Sequence, residues 1–189
     1  KVDLLISEAA SKTAFLAPEL LKKEYHTIEK LLNENSELKE EYELVLKRLF
    51  ERKEHVLSET EEHILAELST CLDSPNKTAG ILRNAELELG TIKNEEGKEV
   101  SLTNENYSIF VKSKNRGVRK DAFLTIYSSY QKLKDTFTET IQGEVTKNVR
   151  IARLRGYKSA KSASLLSNRV DEKVYDNLIE AVNEKLDVI

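Results

Sequence analysis

The longest regular pattern of hydrophobic positions lies between residues 118 and 155, a stretch with no proline and a single glycine, Gly143. Its apolar residues recur every three or four positions, which places them on one side of a helix. The pattern predicts one helix over 118–155, roughly 57 Å long at 1.5 Å per residue. A helix of that length needs more protein to lie against than a compact domain of this size provides. The stripe consists of Val118, Ala122, Ile126, Tyr130, Leu133, Phe137, Ile141, Val145, Val149 and Ala152.

Gly143 lies in the middle of this predicted helix. A glycine there costs about 1 kcal/mol relative to alanine, so its presence needs a reason. We expect another element to cross the helix closely at this position, which a side chain would prevent.

Shorter helical patterns fill the N-terminal part of the chain. Helices are predicted over 2–16, over 19–32 after Pro18, and from Ser36 to about residue 50, since apolar residues there recur at helical spacing. The next two helices begin at strong start signals. Ser58 with Glu61 predicts a capping box, and Ser74 followed by Pro75 predicts a helix that runs to about residue 88.

A non-helical segment interrupts these patterns at 89–103. Its apolar residues alternate with polar ones around Gly97, which predicts a small β-hairpin whose turn uses a positive φ at that glycine. Thr103 then caps a short helix, Gly156 ends the long one, and Asp171 caps the last one.

These elements predict a mostly α fold, a helical array around one long helix at about 118–155 with a small β-hairpin at about 89–103. We divide the chain into 1–88, made of helical hairpins, and 89–189, which holds the β-hairpin and the long helix.

The composition agrees with a helical protein: among 189 residues, two are proline and six are glycine. No run of about 18 apolar residues occurs, so the sequence predicts no membrane-spanning helix. Cys71, the single cysteine, cannot form a disulfide within the chain, which favours a cytoplasmic location; we expect its side chain to be buried. The chain starts with Lys1, lacks methionine and stops inside a helical pattern, so we expect a region of a longer protein.

Charge is distributed unevenly. Residues 1–100 hold 14 Lys and Arg against 22 Asp and Glu, whereas residues 101–189 hold 16 against 11. Positive charge is densest at the end of the long helix. Such a stripe is most typical of cations that offset a helix C-terminus and the acidic first half, but it also fits phosphate binding or a wall that attracts a peptide carboxylate. The stripe consists of Lys147, Arg150, Arg153, Arg155, Lys158 and Lys161.

Motifs for catalysis or metal binding are absent from the sequence. The three histidines, His26, His55 and His63, lack the three- or four-residue spacing that lets two imidazoles on one helix reach one metal ion. No GxSxG, phosphate-binding glycine loop or GxGxxG occurs. The sequence therefore assigns no catalytic residue and no metal ligand.

Three segments nevertheless resemble a known family when they are taken in order: GTIKNEEGKEVSLTNENY, then the long helix with the following RGYKSAKSASLL, then VDEKVYDNLIEAVNEKL. They resemble the N-terminal part of oligoendopeptidase F, a bacterial cytosolic zinc metallopeptidase related to thimet oligopeptidase. The resemblance covers nearly the whole chain and is strongest over 91–186. It implies a mostly helical protein that encloses a deep channel and admits short peptides.

The resemblance also implies a zinc ion held by an HExxH helix and a downstream glutamate, with the HExxH glutamate as general base. This sequence lacks HExxH, which lies in the C-terminal half of the family. The resemblance therefore implies a continuous, non-catalytic N-terminal portion that contributes to the channel, is inactive alone and works with a C-terminal catalytic domain of the same chain. The most plausible substrate-binding residues are Arg153, Arg155 and Tyr157, at the cationic and aromatic end of the long helix.

Two alternatives remain at this point. One is a free-standing helical interaction module whose long helix docks a partner helix. The other is nucleic-acid binding by the basic stripe, which the acidic overall balance disfavours; we expect neither a nucleic-acid nor a membrane partner. An HExxH motif encoded beyond Ile189 would favour the peptidase, and a stop codon there would favour the module.

Overall fold

The computed structural model describes residues 2–188, most of which are helical. Within these residues, two short antiparallel strands form a small sheet. Short 3₁₀ turns cover Lys53–His55 and Leu186–Val188, and a π-helical turn covers Leu82–Glu86. The helices and strands are α1 Val2–Thr13, α2 Leu16–Leu21, α3 Tyr25–Glu34, α4 Ser36–Glu51, α5 Glu59–Leu72, α6 Ser74–Ile81, β1 Thr91–Lys93, β2 Glu99–Ser101, α7 Asn104–Phe110, α8 Arg116–Lys132, α9 Lys134–Leu154, α10 Ala160–Ser167 and α11 Glu172–Asn183.

The chain divides into two compact units. The first unit combines the residues up to Leu72 with those from Val145 onward, and the second unit is Asp73–Glu144. This division differs from the one at residue 88 that the sequence suggested. The difference arises because segments distant in sequence lie together: Arg169 binds the carboxylate of Glu51 within the first unit, at 2.5 Å.

The predicted helix over 118–155 is confirmed as helical but is interrupted once, at Leu133, so it forms α8 and α9. Leu133 has φ −110° and ψ 18°, and its amide donates to the carbonyl of Tyr130, three residues back, at 3.1 Å. A hydrogen bond to the carbonyl three residues back, in place of the usual four, tightens the last turn of a helix and is typical of a helix end. The break needs neither proline nor glycine, which explains why the composition gave no sign of it.

Two other predicted helices have different limits. The helix expected over 19–32 is divided into α2 and α3, because the backbone of Glu24 between them is extended, with ψ 140°. α2 also begins two residues before Pro18. The helix expected from Ser74 to about residue 88 ends at Ile81 and continues as the π-helical turn.

Most of the predicted helix caps are confirmed. The amide of Ser58 donates to the carboxylate of Glu61 at 3.0 Å, as a capping box requires. The hydroxyl of Thr103 accepts from the amide of Asn106 at 3.2 Å, and the Asn106 side chain accepts from the amide of Thr103. Asp171 caps α11 as expected. These caps depend on neighbouring residues alone, which is why the sequence predicts them well.

The second unit is built on an apolar cluster between the hairpin and α8. The strands pair with Ile92 opposite Val100, and the turn between them contains Gly97 at φ 76°. Tyr107 and Phe110 of α7 pack against the cluster. We call this cluster the hairpin core; it consists of Leu89, Ile92, Leu102, Ala122 and Ile126.

Gly143 contacts the N-terminal turn of α6, within the second unit. A Cβ atom added to Gly143 would lie 2.9 Å from the Cγ atom of Pro75. Real Cβ atoms do not approach ring carbons this closely, so only glycine fits. The expectation that a crossing element requires this glycine is confirmed.

In the first unit, α1 lies against α5 through polar side chains. Ser7 donates to the carbonyl of Ala66 at 3.2 Å, and the hydroxyl of Ser11 lies 3.0 Å from Nδ1 of His63. Cys71, which we expected to be buried, is exposed in α5, because α1 covers a different side of that helix. Among the described residues, no helix is long and apolar enough to span a membrane.

Candidate functional site

The end of α9 is the place where the sequence concentrates its candidate residues. Gly156 has φ 72°, and the amide of Tyr157 donates to the carbonyl of Ala152 at 2.9 Å. A left-handed glycine followed by this hydrogen bond is the usual stop signal of a helix. We call residues 153–157 the α9 terminus.

Arg155 is fixed by a two-pronged ion pair with Glu62 of α5. Its Nη1 atom donates to Oε1 of Glu62 at 2.6 Å, and its Nη2 atom donates to Oε2 at 2.8 Å. The side chains of Arg155 and Glu62 are only 26% and 16% exposed. The amide of Leu57 adds a third hydrogen bond to the carboxylate, at 3.0 Å. This planar pairing suits arginine and not lysine, because it uses the guanidinium fork.

The electrostatics of this pair follow from its geometry. Hydrogen bonds from Arg155 hold the pKa of Glu62 below its ordinary value, and partial burial opposes that shift. The same hydrogen bonds raise the pKa of Arg155. Both side chains are therefore charged at neutral pH, and each offsets the desolvation of the other.

His55 connects the other side of the α9 terminus to the N-terminal part of the first unit. Its ring stacks on Tyr157 with centroids 3.6 Å apart and an interplanar angle of 17°. Its Nδ1 atom lies 2.9 Å from the carbonyl oxygen of Arg155, and Nη1 of Arg155 donates to the carbonyl of His55 at 3.1 Å. Because a carbonyl only accepts, Nδ1 of His55 carries the hydrogen.

The structure thus brings two of the three candidate residues together. Arg155 and Tyr157 meet at His55, where their side chains already have partners. Arg153 differs: it is exposed, and within residues 2–188 it makes no hydrogen bond or ion pair. Of the three, Arg153 leaves its charge available to a ligand.

The basic stripe is partly neutralised in the same unit. Lys161 lies 2.9 Å from Asp176 and 3.4 Å from Glu172, and these contacts raise its pKa. Together with the Arg155 pair, this means that at least two of the six cations, Arg155 and Lys161, are matched by carboxylates. The stripe therefore offers less positive charge than the sequence indicates, which weakens the case for phosphate binding.

A cleft of about 400 Å³ lies beside the α9 terminus. It combines two aromatic rings, those of His55 and Tyr157, with one cation, one carboxylate and an apolar wall. Such a lining can hold an apolar side chain and satisfy a polar group next to it. The lining residues are His55, Gly156, Tyr157, Lys158, Ser162, Leu165, Leu166, Val170 and Glu172.

Metal-binding chemistry is not found in the described part of the chain. Residues 2–188 contain no group of three or more His, Cys, Asp or Glu side chains that could hold a metal ion. The histidines belong to three different elements: His26 lies in α3, His55 in the first 3₁₀ turn and His63 in α5. A zinc ion needs three or four such ligands in one place, so these residues do not fit one.

Sequence reasoning missed Glu62 and His55 as parts of this site. The sequence presents Glu62 as one of several adjacent carboxylates and His55 as an isolated histidine. Their partner Arg155 is 93 and 100 residues away, respectively. A contact at that separation leaves no local signal in one sequence.

Two family models match this chain. A model described as Oligopeptidase F matches residues 19–88, and one described as Peptidase family M3 matches residues 109–189. Together they include α9, the α9 terminus and α11.

Individual relatives align with all or nearly all of the chain. Oligopeptidase PepF of Bacillus subtilis is 40% identical over the full chain, which spans 28% of that protein. The plasmid-encoded oligoendopeptidase F of Lactococcus lactis subsp. cremoris is 41% identical over 93% of the chain, which spans 29% of that protein. The crystal structure of oligoendopeptidase-F from Enterococcus faecium is 32% identical, with a TM-score of 0.92 over 97% of this chain and 36% of that one. The chain therefore spans about a third or less of the relatives that it matches.

Proposed function

This chain belongs to the oligopeptidase F members of peptidase family M3 and matches their N-terminal region, and on that premise we propose that it is the channel-forming N-terminal portion of a zinc-dependent oligopeptidase. The complete enzyme hydrolyses short peptides in the cytoplasm. The observation that carries this proposal is the match along the whole chain to oligopeptidases, in sequence and in fold.

In this proposal, zinc belongs to a C-terminal catalytic domain of the same polypeptide and not to this chain. The described residues offer no ligand set for the ion, because His55 and His63 are already bound to Arg155 and Ser11 and lie on different elements. Zinc would supply an activated water for peptide hydrolysis. This chain contributes binding surface and no catalytic group.

Substrate contact at the α9 terminus is assigned first to Arg153. Its exposed guanidinium can pair with the carboxylate of a short peptide, since no side chain in residues 2–188 neutralises it. Arg155 and Tyr157 support this role by fixing the α9 terminus to Glu62 and His55. The adjoining cleft can take an apolar side chain of the same peptide.

Hydrolysis of a quenched-fluorescence peptide tests the enzymatic part of the proposal. The purified chain is expected to be inactive with and without added zinc, whereas the complete protein is expected to cleave the peptide and to lose activity with a chelator. Cleavage by the chain alone, or a complete protein that cleaves no peptide, would contradict the proposal.

The role of Arg153 is tested in the complete protein. We expect Arg153→Ala to lower kcat/KM by more than about twofold, equivalent to roughly 0.4 kcal/mol of transition-state stabilisation. Lys120→Ala is the matched control, because Lys120 is an exposed cation on α8 in the second unit. Equal kcat/KM values for both variants and the unmodified enzyme would show that Arg153 does not contribute to substrate binding.

A further inference from the structure

α11 has an apolar side that residues 2–188 cover only in part; Nζ of Lys161 lies over Tyr175, 5.8 Å from the centre of its ring. None of its residues is buried, and its apolar residues recur at positions that share one side of a helix. Five of them are between 43% and 63% exposed. We call this surface the α11 face; it consists of Val174, Tyr175, Leu178, Ile179 and Val182.

Polar contacts attach α11 to α10 from a different side of the helix. Lys161 reaches both Asp176 and Glu172, and the hydroxyl of Ser162 donates to Glu172 at 2.5 Å. Exposed ion pairs of this kind contribute only about 0–1 kcal/mol each. An amphipathic helix normally uses its apolar side for packing, whereas α11 is attached to α10 through charged residues and leaves its apolar side partly exposed.

Exposure of large apolar side chains is not confined to α11 within residues 2–188. Exposed large apolar side chains also occur on other helices, for example Leu4 of α1 at 67% and Val45 of α4 at 60% exposure.

We propose that the α11 face is an interface with the remaining part of a longer polypeptide, which presents an apolar helical surface to it. This inference rests on the proposed function. The relatives align along all or nearly all of this chain, yet two thirds or more of each relative lies outside the matched region in sequence, and 64% of the Enterococcus faecium chain lies outside it in structure. That region is the occupant that we assign to the α11 face.

The position of α11 in the family match agrees with an interface to the remaining part of a longer polypeptide. α11 falls within residues 109–189, which match the model described as Peptidase family M3, whereas the model described as Oligopeptidase F ends at residue 88. α11 and most of the residues that match the other family model belong to the same compact unit.

Thiol accessibility in the complete protein tests this interface. Cysteines other than the introduced one, including the exposed Cys71, are replaced by serine. Leu178→Cys and Val182→Cys each place a thiol on the α11 face, and Lys173→Cys places one on the opposite side of the same helix as a control. We expect both face variants to react with a thiol reagent about 100-fold more slowly than the control under native conditions, and all three to react equally in denaturant.

Each other result contradicts the inference. Equal reaction rates for the face variants and the control would mean that the face is free. Protection that disappears on dilution, with a matching change from dimer to monomer by light scattering, would assign the face to a second copy. Protection that appears only after addition of a short peptide would assign it to substrate.

Failure of the interface and failure of the peptidase proposal give different results in these experiments. A complete protein without peptidase activity, but with a protected Leu178→Cys thiol, would refute the proposed function and retain the interface. An active peptidase in which that thiol reacts as fast as the control would refute the interface and retain the proposed function.

Discussion

The hairpin core of the second unit and the α9 terminus of the first unit are stabilised by opposite means. In the hairpin core, apolar side chains such as Ile92 and Leu102 are removed from water and no charge is involved. At the α9 terminus, the buried contacts are an ion pair, a stacked histidine and hydrogen bonds to carbonyls. The first depends on shape and volume, whereas the second depends on particular atoms and on their protonation.

This difference determines how each region responds to substitution. A hydrophobic cluster loses stability in proportion to the volume removed, and a similar apolar residue can replace the original. An ion pair that is mostly buried tolerates almost no exchange, because one charge left alone is worse than none. The α9 terminus is therefore the more specific of the two regions and the hairpin core the more tolerant.

The largest expected effect is a cavity in the hairpin core. Ile92→Ala removes most of a side chain that is 5% exposed, and we expect it to lower the free energy of unfolding by about 3 kcal/mol. Urea unfolding followed by circular dichroism measures this loss. The control is Ile109→Ala, because Ile109 is 67% exposed and its truncation is expected to cost less than about 0.5 kcal/mol. Equal losses would show that the cluster is not the core of this unit.

Removal of one charge at the α9 terminus ranks second. Arg155→Ala leaves the Glu62 carboxylate with only the Leu57 amide as a partner, so we expect a loss of about 2 kcal/mol in unfolding free energy. Arg153→Ala removes an equivalent but exposed charge and is expected to change stability by less than about 0.5 kcal/mol. If both variants unfold at the same urea concentration, the ion pair does not stabilise the first unit.

In the second unit, the contact between Gly143 and Pro75 decides whether alanine at position 143 raises or lowers the free energy of unfolding. Gly143→Ala places a Cβ against the ring of Pro75, so we expect a loss of about 1 kcal/mol despite the better helix propensity of alanine. Gly80 of α6 has no atom within 4 Å of the position of a Cβ, so Gly80→Ala is expected to gain up to about 1 kcal/mol. Thermal unfolding measures both values, and a stabilising Gly143→Ala would rule out the clash.

The smallest expected effect is a dependence of stability on pH. Because Arg155 lowers the pKa of Glu62 in the folded protein, the carboxylate binds a proton less readily there than in the unfolded chain. Its contribution to stability is therefore complete above the ordinary glutamate pKa of about 4.3, and it disappears as the pH falls through the lower pKa of the folded state. Glu62→Gln removes this dependence.

Urea unfolding at pH 7 and at a series of pH values below 5 tests this expectation. The difference in unfolding free energy between the unmodified protein and Glu62→Gln should decrease steadily as the pH falls. A difference that stays constant over this range would mean that the Glu62 pKa is not lowered in the folded state. In Glu62→Gln, Arg155 can still donate a hydrogen bond to the side-chain carbonyl of the glutamine, whereas Arg155→Ala leaves a carboxylate without its cation, so we expect a smaller loss than with Arg155→Ala.

The sequence was most informative about local features. It predicted the caps at Ser58 and Thr103, the left-handed Gly156 and the crossing element at Gly143, because each depends on a few adjacent residues or on the cost of one glycine. It did not predict the break at Leu133 or the burial of Glu62. At the break, the amide of Leu133 bonds to the carbonyl three residues back and not four, and the burial of Glu62 requires a partner 93 residues away.

The sequence by itself determined that this chain is a mostly helical member of an oligopeptidase family with a hairpin at its centre. Helical periodicity, turn residues and family motifs each depend on residues that are close together in the sequence. The tertiary structure alone decided which candidate residues are already engaged. It paired Arg155 with Glu62, stacked Tyr157 on His55 and left Arg153 and the α11 face exposed. The physical reason is that a residue's charge and hydrophobicity belong to its type, whereas the availability of either depends on which distant side chain folding places beside it.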